Sequence, residues 1–347
     1  MDLSAKITGI KYKPFLCAEL KAYIFKDLGK ALSKSGVFIL EVNRENKVAV
    51  SWWISAKRTR SYPYARVYDT LNFSGKKITI IPVLKDEGKD GDRDFLQWDT
   101  VSLMSLLGIY VIIGYYSEAE RSTRYKHKIT KQRFDTKYIK QKICEILYYQ
   151  SDALHWNLAQ VDKIDEQCQK ALENYEKISK KTKVEMHSKI TAARRIKQLQ
   201  ESKDEFMKLS RLLAGRAQRR EGITIQPKEH LSGSKGIVTI QNYLGGLYFF
   251  TSDEIEVKEH EAYLIEGKHS RKVLPSLGDI KDGLVKMILF TNLEDIKIDG
   301  KNYNSISVLK LTIENHFNPE NLNITQKRTL ELLYKEARVN NFELWME

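Results

Sequence analysis

The stretch Thr251-Ser252-Asp253-Glu254-Ile255-Glu256-Val257-Lys258-Glu259-His260-Glu261-Ala262-Tyr263-Leu264-Ile265-Glu266-Gly267-Lys268 constrains the fold more than any other part of the chain. A polar tetrad, Lys258 to Glu261, separates two strand-like runs, the pattern of a β-hairpin. If Lys258 and Glu261 close the turn, antiparallel pairing sets Asp253 opposite Glu266. Cross-strand partners share a face with Cβ atoms ~5 Å apart. Lys268, two residues beyond Glu266, falls on that same face roughly 7 Å along the strand. Ala262–Ile265 is apolar on both faces, which suits a central strand, and charges at the end of a buried strand need compensation.

Two carboxylates so placed can share one divalent cation. A hard ion such as Mg²⁺ takes oxygen ligands, keeps several waters and needs few protein donors. It can activate water and neutralise charge developing on a phosphoryl group. A lysine beside that water orients it and offsets the phosphate's charge. The competing reading of these residues is a solvated, charged hairpin edge.

The residues Asp253 and Glu266-Gly267-Lys268, with a helix expected over Leu277–Phe290, resemble the PD-(D/E)XK nuclease superfamily. Its core pairs an acidic residue with a downstream acid-x-lysine strand followed by a helix. The resemblance covers roughly residues 237–311 and departs from the pattern at Ser252, where proline is usual. It implies Mg²⁺-dependent nuclease chemistry, with Asp253, Glu266 and Lys268 catalytic and Asp253 and Glu266 holding the metal. The segments Ile265–His269 and Leu274–Gly283 also look like those of bacterial type II restriction endonucleases. A further acid from a preceding helix is usual in the superfamily, and Glu205 and Glu221 are the candidates.

The rest of the chain fits a protein that handles polyanions. Of its 347 residues, 58 are Lys or Arg and 45 Asp or Glu, a net charge of +13, and 42% are hydrophobic, enough for more than one core. The longest apolar candidate, Val101 to Tyr116, is diluted by Ser102, Ser105 and Gly108, so no membrane span is expected. The N-terminal region lacks the order of a secretory signal, and a cytoplasmic location is expected. Cys17, Cys144 and Cys168 are far apart and without metal-ligand spacing. No glycine loop of the phosphate-cradling Walker type occurs.

The expected architecture is α/β in three segments. Residues 1–120 read as an N-terminal α/β domain for DNA recognition, with an early helix over Pro14–Ser33. Residues 121–222 read as a basic module of long helices, since 137–221 contain no proline and only Gly215 as glycine. Residues 223–347 read as a PD-(D/E)XK-like mixed-sheet catalytic domain. Within Arg121–Gln150, nine basic residues face two acidic ones, the steepest local charge in the chain. Asp69 and Lys85 echo the nuclease spacing, but Val83 stands where the metal-binding acid belongs. The run Lys85–Asp94 superficially suggests a calcium loop, yet lacks EF-hand order and reads as a solvated loop.

DNA contacts are expected from Lys57, Arg58, Arg60, Tyr62, Tyr64 and Arg66, where cations interleave with aromatics after a strand carrying Trp52 and Trp53. Arg216, Arg219 and Arg220, beside Arg211, would grip backbone near the cut. The expected activity is site-specific endonuclease cleavage of double-stranded DNA by a homodimer with Mg²⁺. The alternatives are a repair or defence nuclease without a fixed site, and a non-catalytic DNA-binding or scaffold protein.

Overall fold

Strand β1 (Asp2–Ile7) opens the chain with strict alternation, Leu3, Ala5 and Ile7 pointing inward, as a half-buried strand requires. The computed structural model describes residues 2–57, 61–161, 163–200, 234–242, 247–314 and 317–347. It divides into two units, one formed by Met1–Ala18 with Met207–Glu347, the other by Glu19–Phe206. β1 thus belongs with the C-terminal third.

The inserted unit holds β2 (Ala22–Ile24), α1 (Leu28–Lys34), β3 (Val37–Glu41), β4 (Lys47–Trp52), α2 (Pro63–Tyr68) and β5 (Lys77–Pro82). Next come β6 (Leu84–Asp86), β7 (Arg93–Phe95), α3 (Trp98–Leu106), β8 (Tyr110–Gly114), β9 (Tyr116–Arg121) and β10 (Ile129–Phe134). Helices α4 (Thr136–Tyr148), α5 (Ala153–Val161), α6 (Ile164–Thr182) and α7 (Lys189–Gln200) follow. Its main sheet runs β2-β3-β4-β5-β8 and is parallel except where β3 meets β4. The β-branched run of β5 and the whole of β8 are buried, as parallel strands covered on both faces are. In α6, Ile164, Cys168, Ala171, Tyr175 and Ile178 recur at helical spacing and form its buried stripe.

Two local expectations are corrected here. Pro14–Ser33 is not one helix: Ala22–Ile24 pairs in parallel with Ile39–Glu41, and only Leu28–Lys34 is α-helical. Tertiary pairing outweighs weak helix propensity at Tyr23 and Ile24. Nor is Lys85–Asp94 a solvated loop. It contains the β6–β7 hairpin, in which Lys85 opposes Asp94 and both Asp86 and Asp94 are buried. Asp86 is held by His187, whose Nδ1 lies 2.8 Å from Oδ1, and Asp94 by Lys57 at 2.7 Å and by Ser55 Oγ at 2.6 Å.

The other unit continues with β11 (Ser234–Asn242), β12 (Leu247–Lys258), β13 (Glu261–Ser270), α8 (Leu277–Phe290), β14 (Glu294–Ile298) and β15 (Lys301–Asn302). It ends with β16 (Asn304–Ile313), α9 (Ile324–Asn340) and β17 (Glu343–Met346). Its mixed eight-stranded sheet runs β15-β14-β1-β11-β12-β13-β16-β17. β11, β12 and β13 form an antiparallel meander, and after α8 the chain returns as β16, parallel to β13. α8 buries Ile280, Leu284, Val285, Met287, Ile288, Leu289 and Phe290, and a Ser276–Asp279 capping box starts it. The segment after β1 is pinned to α9. Buried Glu336 accepts from Tyr12 Oη and Phe15 N, both at 2.8 Å, and Asn340 exchanges two hydrogen bonds with the Lys13 backbone.

The expected segment 1–120 is therefore shared between the two units. The described part of 121–222, through α4–α7, continues the inserted one. Among the described residues, no helix is long and apolar enough to cross a membrane.

Candidate active site

The site is built on the β12–β13 hairpin. Lys258 pairs with Glu261, Glu256 with Tyr263 and Glu254 with Ile265, the register read from the sequence. The next step along brings Asp253 beside Glu266. Ser252, buried, fastens the strands at that point, its Oγ lying 3.0 Å from Ile265 O and 2.8 Å from Glu254 O. On the other side the β11–β12 ladder shifts register between Ser234 and Gly236, opposite Ile255 and Ser252. A bulge of this kind bends a strand and re-aims its side chains.

The side chains converge. Lys268 Nζ donates to Glu266 Oε1 and to Asp282 Oδ2 of α8, each at 2.9 Å. Lys286, one turn beyond Asp282, reaches Glu266 Oε2 at 3.6 Å and donates to Thr251 O. Asp253 Oδ2 accepts the backbone N–H of Gly267 at 3.0 Å. Gly283 makes room for this arrangement: a Cβ there would lie 3.2 Å from Lys268 Cε and 2.6 Å from Leu309 Cδ1.

The electrostatics single out Asp253. Burial, and then the charge of neighbouring Glu266, push its carboxyl up to about 7, against the opposing pull of Lys286 and Lys268. Burial disfavours the charge on Lys268, but Glu266, Asp282 and Asp253 outweigh it and hold the ammonium above the ordinary lysine range. Asp253, Glu266 and Asp282 thus gather with Lys268 and Lys286 in one cluster, where the charged form of Asp253 is disfavoured.

Two adjacent carboxyls, an all-oxygen donor pair, would suit a hard divalent cation held by Asp253 and Glu266. Among the described residues no group of three or more His, Cys, Asp or Glu is gathered for a metal, and the candidate pair is Asp253 and Glu266. Mg²⁺ sites beside phosphates use that few.

Asp282, Gly283 and Lys286 were not legible as site residues, although one signal existed. Asp282 and Lys286 are four apart on a helix whose buried face is mostly apolar but also takes in Lys281, and charges there need partners.

The residues expected to touch DNA are dispersed. Lys57 pairs with buried Asp94 at 2.7 Å. Tyr62 is exposed at the start of α2, with φ at 49°. Tyr64 is buried edge-on against Trp53. Arg66 turns inward, its guanidinium 5.0 Å from the Trp52 ring centroid and donating to Trp52 O at 2.8 Å. Gly36 leaves the space it fills. Arg58, Arg60, Arg211, Arg216, Arg219 and Arg220, with Glu205 and Glu221, lie outside the described residues.

No protein-family model, curated protein or solved structure is matched by this chain.

Proposed function

We propose that the chain is a Mg²⁺-dependent endonuclease of the PD-(D/E)XK kind, hydrolysing phosphodiester bonds in double-stranded DNA at a fixed site, as type II restriction enzymes do. The observation that carries this reading is the Asp253 carboxyl buried beside Glu266, within the same cluster as Lys268. Two buried acids side by side disfavour each other's charge, and a divalent cation between them would relieve that. The acid, the acid-x-lysine strand and the following helix are supplied by β12, β13 and α8.

In this reading Asp253 and Glu266 hold the cation, which supplies Lewis acidity toward the phosphoryl group when bound. The Lys268 ammonium orients the attacking water and offsets the charge of the phosphate. Asp282 positions Lys268, and Lys286 fixes Glu266 from the other side. The water oxygen bonds to phosphorus as the bridging P–O bond breaks, and a proton passes to the leaving oxygen. Cutting both strands with one such site per chain calls for a homodimer.

The test is incubation of purified protein with a defined plasmid and Mg²⁺, followed by sequencing of the ends. Discrete bands with a common end sequence are expected. Random ends would favour a repair or defence nuclease without a fixed site. Binding without cutting, and without Mn²⁺ uptake at Asp253 and Glu266, would leave the non-catalytic DNA-binding alternative.

A further inference from the structure

The β9–β10 ribbon is a two-stranded sheet separate from the main sheet of the inserted unit. Its base is anchored by Phe134, which stacks on Tyr116 with centroids 4.5 Å apart, and its turn end by Ile129, which is buried and whose N–H donates to Glu87 O at 2.9 Å. Its tip is backed by the β6–β7 turn. Gly88, at φ 94°, admits the His127 carbonyl where a Cβ would come within 2.6 Å of that oxygen. Ser122 organises the tip itself, accepting from Arg124 N and Tyr125 N, while its N–H donates to Lys128 O at 2.9 Å.

From Arg121 to Phe134 the chain carries six cations (Arg121, Arg124, Lys126, Lys128, Lys131, Arg133) and no acidic residue. Among the described residues, the ion pairs of the ribbon lie toward its base, where Lys131 and Arg133 meet Glu118 and Glu120. At the tip Tyr125 is 50% exposed, with Arg124 and Lys128 5.4 and 5.1 Å from its ring centroid.

We propose that this ribbon is a nucleic-acid-binding arm, its tip cations seated on the phosphates of a duplex. A two-stranded ribbon has the width that the major groove admits. Phosphate contacts need cations held on a preformed element, and the anchored base provides one. An aromatic face flanked by cations suits a sugar or base edge. An anionic membrane surface fits less well, because the tip offers Tyr125 but no aliphatic side chain to enter acyl chains. The arm belongs to the inserted unit and Asp253 to the other one, and the proposal rests on the nuclease reading only in the choice of DNA as probe.

The test uses the full chain and a fluorescein-labelled duplex, with anisotropy titrations across a salt series in Ca²⁺. In the triple variant Arg124→Ala, Lys126→Ala, Lys128→Ala, affinity is expected to fall at least tenfold. The slope of log K against log salt should flatten by roughly 0.9 per lost phosphate contact. All three side chains are at the surface, so unchanged circular dichroism and melting are expected. Should the variant lose its fold, Tyr125→Ala with Lys126→Gln serves instead. Unchanged affinity and slope overturn the proposal even if the protein still cuts DNA. Lost binding supports it even if the wild-type chain cuts nothing. Vesicles of anionic phospholipid are the second arm: tip-dependent vesicle binding with tip-independent duplex binding overturns the proposal.

Discussion

On folding, the Asp253 carboxyl gains affinity for a proton. It is raised from 3.8 to about 7 by burial and Glu266, so the native state binds a proton more tightly than the unfolded chain. The stability this contributes is fully present below pH 3.8 and is lost as pH rises through about 7. Without divalent metal, wild type should therefore lose stability relative to Asp253→Asn between about pH 4 and pH 7, the difference levelling off above that. Parallel melting curves in EDTA check this, and a constant difference across the window would show that Asp253 is not raised on folding. Asparagine keeps an oxygen for the Gly267 N–H, so the local hydrogen bond survives. The second expectation concerns chemistry. Asp253→Ala, Glu266→Ala and Lys268→Ala should each abolish cleavage and leave duplex binding within about threefold, as gel shift and cleavage on the same preparations would show. These three residues were legible in the sequence because strand periodicity and turn chemistry are local. Asp282 and Lys286 were not, because which charges on α8 meet β13 depends on packing between elements far apart in sequence.

At the scale of elements, α8 lies across β13 through Gly283. Replacing it with alanine gains about 1 kcal/mol of helix propensity. The new Cβ would sit 2.6 Å from Leu309 Cδ1, where overpacking costs about 1–3 kcal/mol. Gly283→Ala should be modestly destabilised in a melt, and by shifting Lys268 it should lower cleavage at least tenfold without weakening duplex binding. Full activity with normal stability would show that Lys268 need not lie where α8 holds it. The β12–β13 hairpin and α8 were read correctly from short-range pattern. The Pro14–Ser33 segment was misread because its structure is imposed by β3 and α9, which no window of local sequence contains. The buried β6–β7 hairpin was hidden by its acidic residues, whose partners Ser55, Lys57 and His187 come from other elements.

For the whole molecule, exchanging the cation separates binding from chemistry. Ca²⁺ accepts carboxylates at longer, looser geometry, so it should support duplex binding and suppress cutting, with Mg²⁺ restoring cleavage. Rapid cutting in Ca²⁺ would count against the assigned roles of Asp253 and Glu266. The net charge of +13 raises the expectation of a polyanionic partner, but gives no sign that one unit is inserted into the other. That topology is invisible to pattern, because the partners of β1, namely β11 and β14, lie beyond the whole inserted unit. The same pairing orders events during synthesis. A ribosome releases β1 before the inserted unit, yet the strand has no sheet to join until β11 and β14 have emerged, by which time the inserted unit is complete. The hairpin bearing Asp253 and Glu266 sits in that late sheet, so a nascent chain would acquire the β9–β10 ribbon well before the Asp253 cluster.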